Sequence, residues 1–211
     1  PHLKDFIAAH KDLLSCDFAI NPDTGMLAAD IPTITYGLRG MAYFELRITG
    51  PAQDLHSGLF GGAVHNPAQV LCELIAGMHD TQGRVALPGF YDSVRELSRE
   101  ERDELSRIPV TEQLLLQQTG APQFYGEAGY TLVERIGARP TLEVNGLLAG
   151  FTGEGSKTVL PARAMAKISM RLVPDQDPVE VEKQLHQYLR DKAPPTVRWE
   201  VLTLAGGKPS I

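Results

Sequence analysis

The chain is poor in cysteine, tryptophan and aromatics generally: two Cys, one Trp and 7% aromatic residues in 211. Cys16 and Cys72 belong to no C-x-x-C pair, which excludes a cysteine-built zinc site and a disulfide framework. Both are expected to be buried free thiols, one on a strand and one on a helix, in a reducing, cytoplasmic setting. No apolar run approaches the roughly 18 residues of a membrane span, so no membrane is expected as partner. Pro1-His2-Leu3-Lys4-Asp5 has no basic segment leading into an apolar core and no initiator methionine, which points to a processed chain or an excised fragment. Positive charge is also short, with 20 Lys and Arg against 26 Asp and Glu, and no basic stripe carries interleaved aromatics. Nucleic acid is therefore not an expected partner, because binding to phosphates by counterion release needs a basic face.

What is present is ordinary for a soluble globular protein, at 43% apolar and 22% charged residues. Apolar spacing predicts an amphipathic helix over residues 2–14, a short strand over Cys16–Ile20, a turn at Asn21-Pro22-Asp23-Thr24-Gly25 and a strand near Thr33–Tyr36. Gly37-Leu38-Arg39-Gly40 breaks the pattern and marks a boundary. From Met41 to Thr49 the chain alternates, with Ala42, Phe44, Leu46 and Ile48 on one side, as a half-buried strand does. A fourteen-residue loop follows, Asp54 to Pro67, holding His56, His65 and Gly58, Gly61 and Gly62. The glycines are expected to take positive φ and allow close approach, and Asn66-Pro67 reads as an N-cap and first helical position. The helix from Pro67 reaches about His79. Residues 82–139 read as a charged, helical insertion, Thr141–Gly150 as a strand with a bulge or turn at Asn145-Gly146, and Ala164–Val173 as an alternating strand. A helix from Pro178 to about Lys192 and a strand over Thr196–Leu204 complete the order β-α-(insert)-β-β-α-β. That order predicts an α+β, ferredoxin-like βαββαβ sandwich: a four-stranded antiparallel sheet with helices on one face.

The motifs for common chemistry are mostly missing. His10-Lys11-Asp12 has the form of a ligand pair, but mid-helix its side chains point about 200° apart. Glu100-Glu101 sits in a solvated charge run. Asp23, beside Pro22 after an apparent strand, is either a single metal ligand or a turn aspartate, and no H-E-x-x-H accompanies it. No G-x-S-x-G elbow exists, and Gly153-x-Gly155-Ser156-Lys157-Thr158 lacks both the spacing and the following helix of a phosphate loop. What remains is His56, Thr158 and Arg171, each at or near a strand end. His56 reads either as a functional group or as a hydrogen-bonded loop histidine, and Arg171 either as a substrate-holding group or as a solvent-facing cation.

Four stretches together resemble a known family. They are Ile34-Thr35-Tyr36-Gly37-Leu38-Arg39-Gly40, Asp54-Leu55-His56-Ser57-Gly58 with Gly61-Gly62, Gly155-Ser156-Lys157-Thr158-Val159-Leu160-Pro161 and Ser169-Met170-Arg171-Leu172-Val173-Pro174. In order and spacing they resemble the lid, or dimerisation, domain of the di-zinc exopeptidases of metallopeptidase family twenty. That family includes carnosinase-type dipeptidases, aminoacylase and glutamate carboxypeptidases, and the carnosine-dipeptidase branch is the nearest in pattern. The resemblance implies that His56 enters the active site of the other subunit of a homodimer and stabilises the oxyanion there. It implies that Thr158 donates to the substrate from the same side and that Arg171 binds the substrate's terminal carboxylate. Asp23 falls where the family has a zinc-ligating aspartate. Two zinc ions per active site are implied for the intact enzyme, with a peptide or N-acyl amino acid as substrate. None is expected to bind stably to this chain alone, which is expected to be inactive. The implied organisation is a catalytic-domain tail over residues 1–36, a lid over 37–205 and a return over 206–211. His56 is then expected to be exposed, and His65 to pack or cap. The competing reading is a stand-alone ferredoxin-like module that binds a small ligand or pairs through its edge strands, without catalysis.

Overall fold

A computed structural model describes residues 2–20, 25, 31, 33 and 35–211. The chain divides into two compact units, Pro1–Tyr36 and Gly37–Ile211. In the first, α1 spans Leu3–Ala9 and gives way to turns through Leu14, so the helix is shorter than its spacing predicts. Every residue from 2 to 20 whose burial is described is exposed. A helix this short has little intrinsic stability without a packed face. Cys16–Ile20 forms no strand, and Phe18 and Ile20 are exposed. Thr33, Thr35 and Tyr36 are likewise not in a strand. Asn21, Pro22, Asp23 and Thr24, with the turn expected there, lie outside the described residues, as does Ile34.

The second unit is built on a sheet. β1 (Gly40–Thr49) buries every second residue, and Ala42, Phe44, Leu46 and Ile48 are at most 1% exposed. The short strand β2 (Leu55–His56) runs into a single helical turn, α2 (Ser57–Phe60). α3 (Pro67–Ala76) starts where Asn66-Pro67 predicts, with Asn66 Oδ1 accepting from the Ala68 amide at 2.9 Å. The insertion carries α4 (Arg99–Ser106), α5 (Glu112–Thr119) and α6 (Leu132–Gly137), capped by Ser98, Thr111 and Thr131. β3 (Thr141–Ala149), β4 (Val159–Leu160), β5 (Arg163–Leu172), α7 (Pro178–Lys192) and β6 (Arg198–Gly207) follow.

The main sheet is four-stranded and antiparallel, in the order β3-β5-β1-β6. This is the ferredoxin-like βαββαβ topology, with β3 and β6 as its edges. The Asn145-Gly146 expectation resolves as a bulge, since the β3–β5 register shifts between Val144 and Gly146. α3 and α7 cover one face through Val70, Leu71, Leu74, Val181, Leu185 and Leu189. Buried Tyr188 ties the two helices by donating its hydroxyl to the Leu74 carbonyl at 2.8 Å. Cys72 lies on the outer side of α3, so both cysteines are free and exposed rather than buried. No helix among the described residues is long and apolar enough to cross a membrane.

The insertion has a polar core that periodicity does not reveal. Arg139, 1% exposed, donates from Nε and Nη2 to the two carboxylate oxygens of buried Glu127, each at 2.7 Å. Arg139 lies over Tyr130 at 4.1 Å, Arg84 lies over Tyr91 at 4.3 Å, and Arg84 also approaches Glu127 at 3.7 Å. Burial pulls the Arg139 pKa down, but the Glu127 carboxylate outweighs it and the balance is upward. Gln176, also buried, joins the β5–α7 turn to this region, accepting from the Val173 amide and donating to the Phe90 carbonyl, both at 3.0 Å.

Removing one partner of a desolvated ion pair strands the other charge. Glu127→Gln is therefore expected to cost about 3–5 kcal/mol of unfolding free energy, read from the urea midpoint. Glu180→Gln, on the exposed Lys183 pair of α7, is the surface control and is expected to leave the midpoint unchanged. Equal midpoints for the two variants would show that the buried pair does not hold the insertion.

Candidate functional site

His56 and Thr158 stand far apart in sequence and meet in the fold. β2 and β4 form a two-stranded ribbon with Leu55 opposite Leu160 and His56 opposite Val159. The Ser57 amide extends it, donating to the Thr158 carbonyl at 2.9 Å. Asp54 fastens the ribbon to the start of β5 by accepting from the Ala162 amide at 2.7 Å. The His56 ring then lies with Nε2 3.1 Å from Thr158 Oγ1, both residues exposed.

The other ring nitrogen decides the tautomer. The Gly58 amide points at His56 Nδ1 at 3.0 Å, and an amide N–H can only donate. Nδ1 is therefore the acceptor, the ring proton sits on Nε2, and Nε2–H donates to Thr158 Oγ1. The ring's Nε2–H is thus held on the Thr158 hydroxyl, and that hydroxyl keeps its own proton free to donate. Gly58 is required for close approach: a Cβ there would meet His56 Cε1 at 2.8 Å and Nδ1 at 3.1 Å. Gly61 is likewise a close-approach glycine, its Cβ position lying 2.4 Å from the Ser57 carbonyl oxygen, and of the three only Gly62 takes positive φ, at 82°. The expectation of positive φ at all three is corrected: two of the glycines make room for the turn of α2. His65 bonds through Nδ1 to Thr196 Oγ1 at 2.8 Å, and the capping falls to Asn66.

Arg171 is elsewhere. It pairs with Met41 of β1 and Thr141 of β3, near the end of β5, with its side chain on the face away from the helices and exposed. The ribbon joins β5 at its opposite end, by Arg163. Eight residues of strand separate Arg163 from Arg171, roughly 26 Å at about 3.3 Å per residue. One copy of the chain therefore brings His56 and Thr158 together and keeps Arg171 apart from them. Arg171 has a charged neighbour that residue spacing alone does not pick out. Arg39, half-buried just before β1, donates from Nη1 to the Arg139 carbonyl at 3.3 Å, and burial and the Arg171 charge both lower its pKa.

A groove of about 720 Å³ on the helix-free face is lined by Arg47, Asp54, Arg163, Met165 and Glu200 among others, and by none of His56, Thr158 and Arg171. Among the described residues no three His, Cys, Asp or Glu side chains converge as a metal site, and Asp23 lies outside them. The described residues do not make up a zinc centre. What they present is a hydroxyl and an imidazole at one end of the sheet and two guanidinium groups, those of Arg39 and Arg171, at the other.

Residues 36–197 match the M20 peptidase dimerisation domain. The chain is 36% identical over 190 residues to the Cys-Gly metallodipeptidase dug1 of Schizosaccharomyces pombe, covering 89% of this chain and 40% of that protein. It is 31% identical over 191 residues to the human Beta-Ala-His dipeptidase, covering 90% of this chain and 38% of that protein. The chain thus spans about two fifths of these relatives' length. Among solved structures, the M20 family metallo-carboxypeptidase Sso-CP2 from Sulfolobus solfataricus superposes with TM-score 0.86 at 34% identity, covering 98% of this chain and 53% of that one. Human carnosine dipeptidase 1 superposes with TM-score 0.83 at 31% identity, covering 99% of this chain and 45% of that one. With fold, motif order and sequence in agreement over most of its length, the chain belongs to the peptidase dimerisation domain family of the M20 peptidases, whose relatives here include metallodipeptidases.

Proposed function

We propose that this chain is the lid and dimerisation domain of a zinc-dependent dipeptidase or related exopeptidase that hydrolyses peptide or N-acyl amino-acid amide bonds. Residues 37–205 form the lid in this reading, 1–36 the tail of a catalytic domain and 206–211 the return to it. The adjacent chain ends of the lid support that organisation, since Leu38 and Ser210 exchange backbone hydrogen bonds at 2.7 and 3.0 Å. A domain inserted into another leaves and returns side by side in this way. Zinc belongs to the proposal for the whole enzyme alone, with Asp23 as one ligand, and a cytoplasmic location is part of the same proposal.

The observation that carries the reading is the separation of the two halves of the site. His56 and Thr158 sit at the tip of the sheet, while Arg171 sits at the root beside Leu38 and Ser210. A single copy cannot close one small substrate between them, and a second copy can. His56 Nε2–H then exchanges the Thr158 hydroxyl for the developing oxyanion, Thr158 donates its own hydroxyl proton to the substrate, and Arg171 of the other copy takes the terminal carboxylate through its guanidinium fork.

The β3 edge supports this pairing. It carries one charged residue, Glu143, and exposes Val144, Leu147 and Leu148, the last two at 58% and 57%. The other edge, β6, carries Arg198 and Glu200 and is followed by Lys208. An apolar edge with few charges is a pairing surface, whereas charge protects an edge. If two β3 strands pair antiparallel about a two-fold axis, the Ala149 end of one faces the Thr141 end of the other. Thr141 is paired to Arg171. The tip of one copy and the root of the other then lie on the same side, with the two β5 strands about three strand spacings, ~14 Å, apart.

Two measurements on the full-length protein test this. His56→Ala is expected to lower kcat about 10²- to 10³-fold, and Arg171→Gln to raise KM for a dipeptide with a free carboxylate. Heterodimers of the two variants retain one intact site and are expected to recover about half the wild-type activity. Dimeric mixtures without recovery would refute the contribution in trans. For the interface, Leu148→Lys on β3 is expected to weaken the dimer at least about tenfold in sedimentation equilibrium, while Leu204→Lys on β6 leaves it intact. The reverse result would move the interface to β6.

A further inference from the structure

We infer that Arg39 and Arg171 form a two-guanidinium clamp for a carboxylate, so that Arg39 is a second residue holding the acidic end of the substrate. This rests on the reading of Arg171 given above and extends it to a residue whose side chain reaches the same place from a different strand.

The placement comes from the register. Gly40 lies opposite Leu172 and Met41 opposite Arg171, so Arg39 precedes β1 at the level of the β5 terminus. Gly40 is on the buried face, which puts Arg39 by alternation on the open face with Met41 and Arg171. Its guanidinium reaches the carbonyl of Arg139, two residues before Thr141, the β3 partner of Arg171. Arg39 thus extends from the β1 side of β5 toward the β3 side, past the strand that carries Arg171.

The energetics ask for an anion. A guanidinium has five N–H donors, and here one is spent, on a neutral carbonyl. Among the described residues no carboxylate lies within ion-pairing distance of Arg39 or of Arg171. Partial burial and the neighbouring positive charge both oppose the charged form of Arg39, which is the direction in which its pKa moves. Placing a second cation there costs free energy in the empty site, and a bound carboxylate repays it by lying against both forks. The anchor is rigid as well, because Arg139 is itself locked on Glu127 by two hydrogen bonds of 2.7 Å. A merely structural link to a carbonyl would need a single donor rather than a second permanent charge beside Arg171.

The test is a titration of the 211-residue chain with N-acetylglycine, following the arginine Nε–H resonances by NMR with N-acetylglycinamide as the neutral control. The Arg39 and Arg171 signals are expected to move together with one midpoint for the carboxylate and to stay still for the amide. Arg39→Gln is expected to raise the midpoint about tenfold, and Arg39→Lys to give an intermediate value, with the backbone amides of Leu46 and Ala166 in the β1–β5 core unchanged as the check on folding. If Arg171 responds and Arg39→Gln leaves its midpoint alone, the clamp is wrong and the reading of Arg171 stands. If neither signal moves in the unaltered chain, both are wrong.

Discussion

The antiparallel pairing of β1 with β5 governs what the rest of the molecule can do. Gly40 opposite Leu172 and Thr49 opposite Arg163 give a full ten-residue register between the two central strands. Every second residue of both strands is buried under α3 and α7, and a slip by one residue would turn Phe44, Leu46, Ile168 and Met170 to solvent. The same register sets function at a distance. It holds the β5 terminus with Arg171 beside the point where the unit begins and the β5 start, with the His56–Thr158 ribbon, at the far end. The split between a root carrying Arg171 and a tip carrying His56 and Thr158 is therefore a property of the hydrophobic core.

Much of this register is legible in the residue pattern, for physical reasons that also mark where reading stops. Met41–Thr49 and Ala164–Leu172 alternate because one face is packed and the other is open, and Asn66-Pro67 and Asp177-Pro178 announce helix starts through cap chemistry that acts within three residues. Thr131 and Glu134 form a reciprocal capping box, equally local. Cys16–Ile20 shows the limit: five residues with apolar character satisfy a strand template, yet without a partner strand they remain exposed coil. Gly58 and Gly61 show another. Their role depends on atoms of His56 and Ser57 that approach in the folded turn, which composition cannot distinguish from a need for positive φ. His56 and Thr158 are each visible as polar residues near strand ends, but 102 positions separate them, and their contact exists because β2 pairs with β4.

The insertion depends on a different kind of order. Its helices α4 and α5 bury no residue fully, so they contribute little to a hydrophobic core. Val85, Leu87 and Phe90 tie its first part to the hydrophobic core, and its later part is held by Glu127 and Arg139 with the rings of Tyr91 and Tyr130. Such a cluster tolerates few alternatives, because each member is buried at a cost that only its partner offsets. Its position explains why a charged segment of nearly sixty residues, 82–139, interrupts a compact fold. Arg139 stands at the junction with β3, so the ion pair fixes the insertion to the strand that begins beside Arg171. Arg39 then receives its anchor from the same junction, and the root of the sheet inherits its rigidity.

The tip works by hydrogen-bond direction rather than by burial. With Nδ1 accepting from Gly58, the His56 ring cannot change tautomer without losing that bond, and Nε2–H remains the donor. Thr158 accepts that hydrogen, so its own hydroxyl proton must point away from the ring. One contact of 3.1 Å thereby orients both groups at once, with Nε2–H directed at Thr158 and the Thr158 hydroxyl proton directed away from the ring, on two exposed residues. A charged imidazole would be a stronger donor, but it would carry a proton on Nδ1 against the Gly58 amide. The Gly58 amide fixes the direction of the ring, and under the proposed function such a fixed donor suits an oxygen whose charge appears only during reaction. In the proposed dimer, two-fold pairing of β3 would bring this prearranged pair to the same side as Arg171 of the other copy, so that one chain would orient the substrate and its partner would stabilise the developing charge.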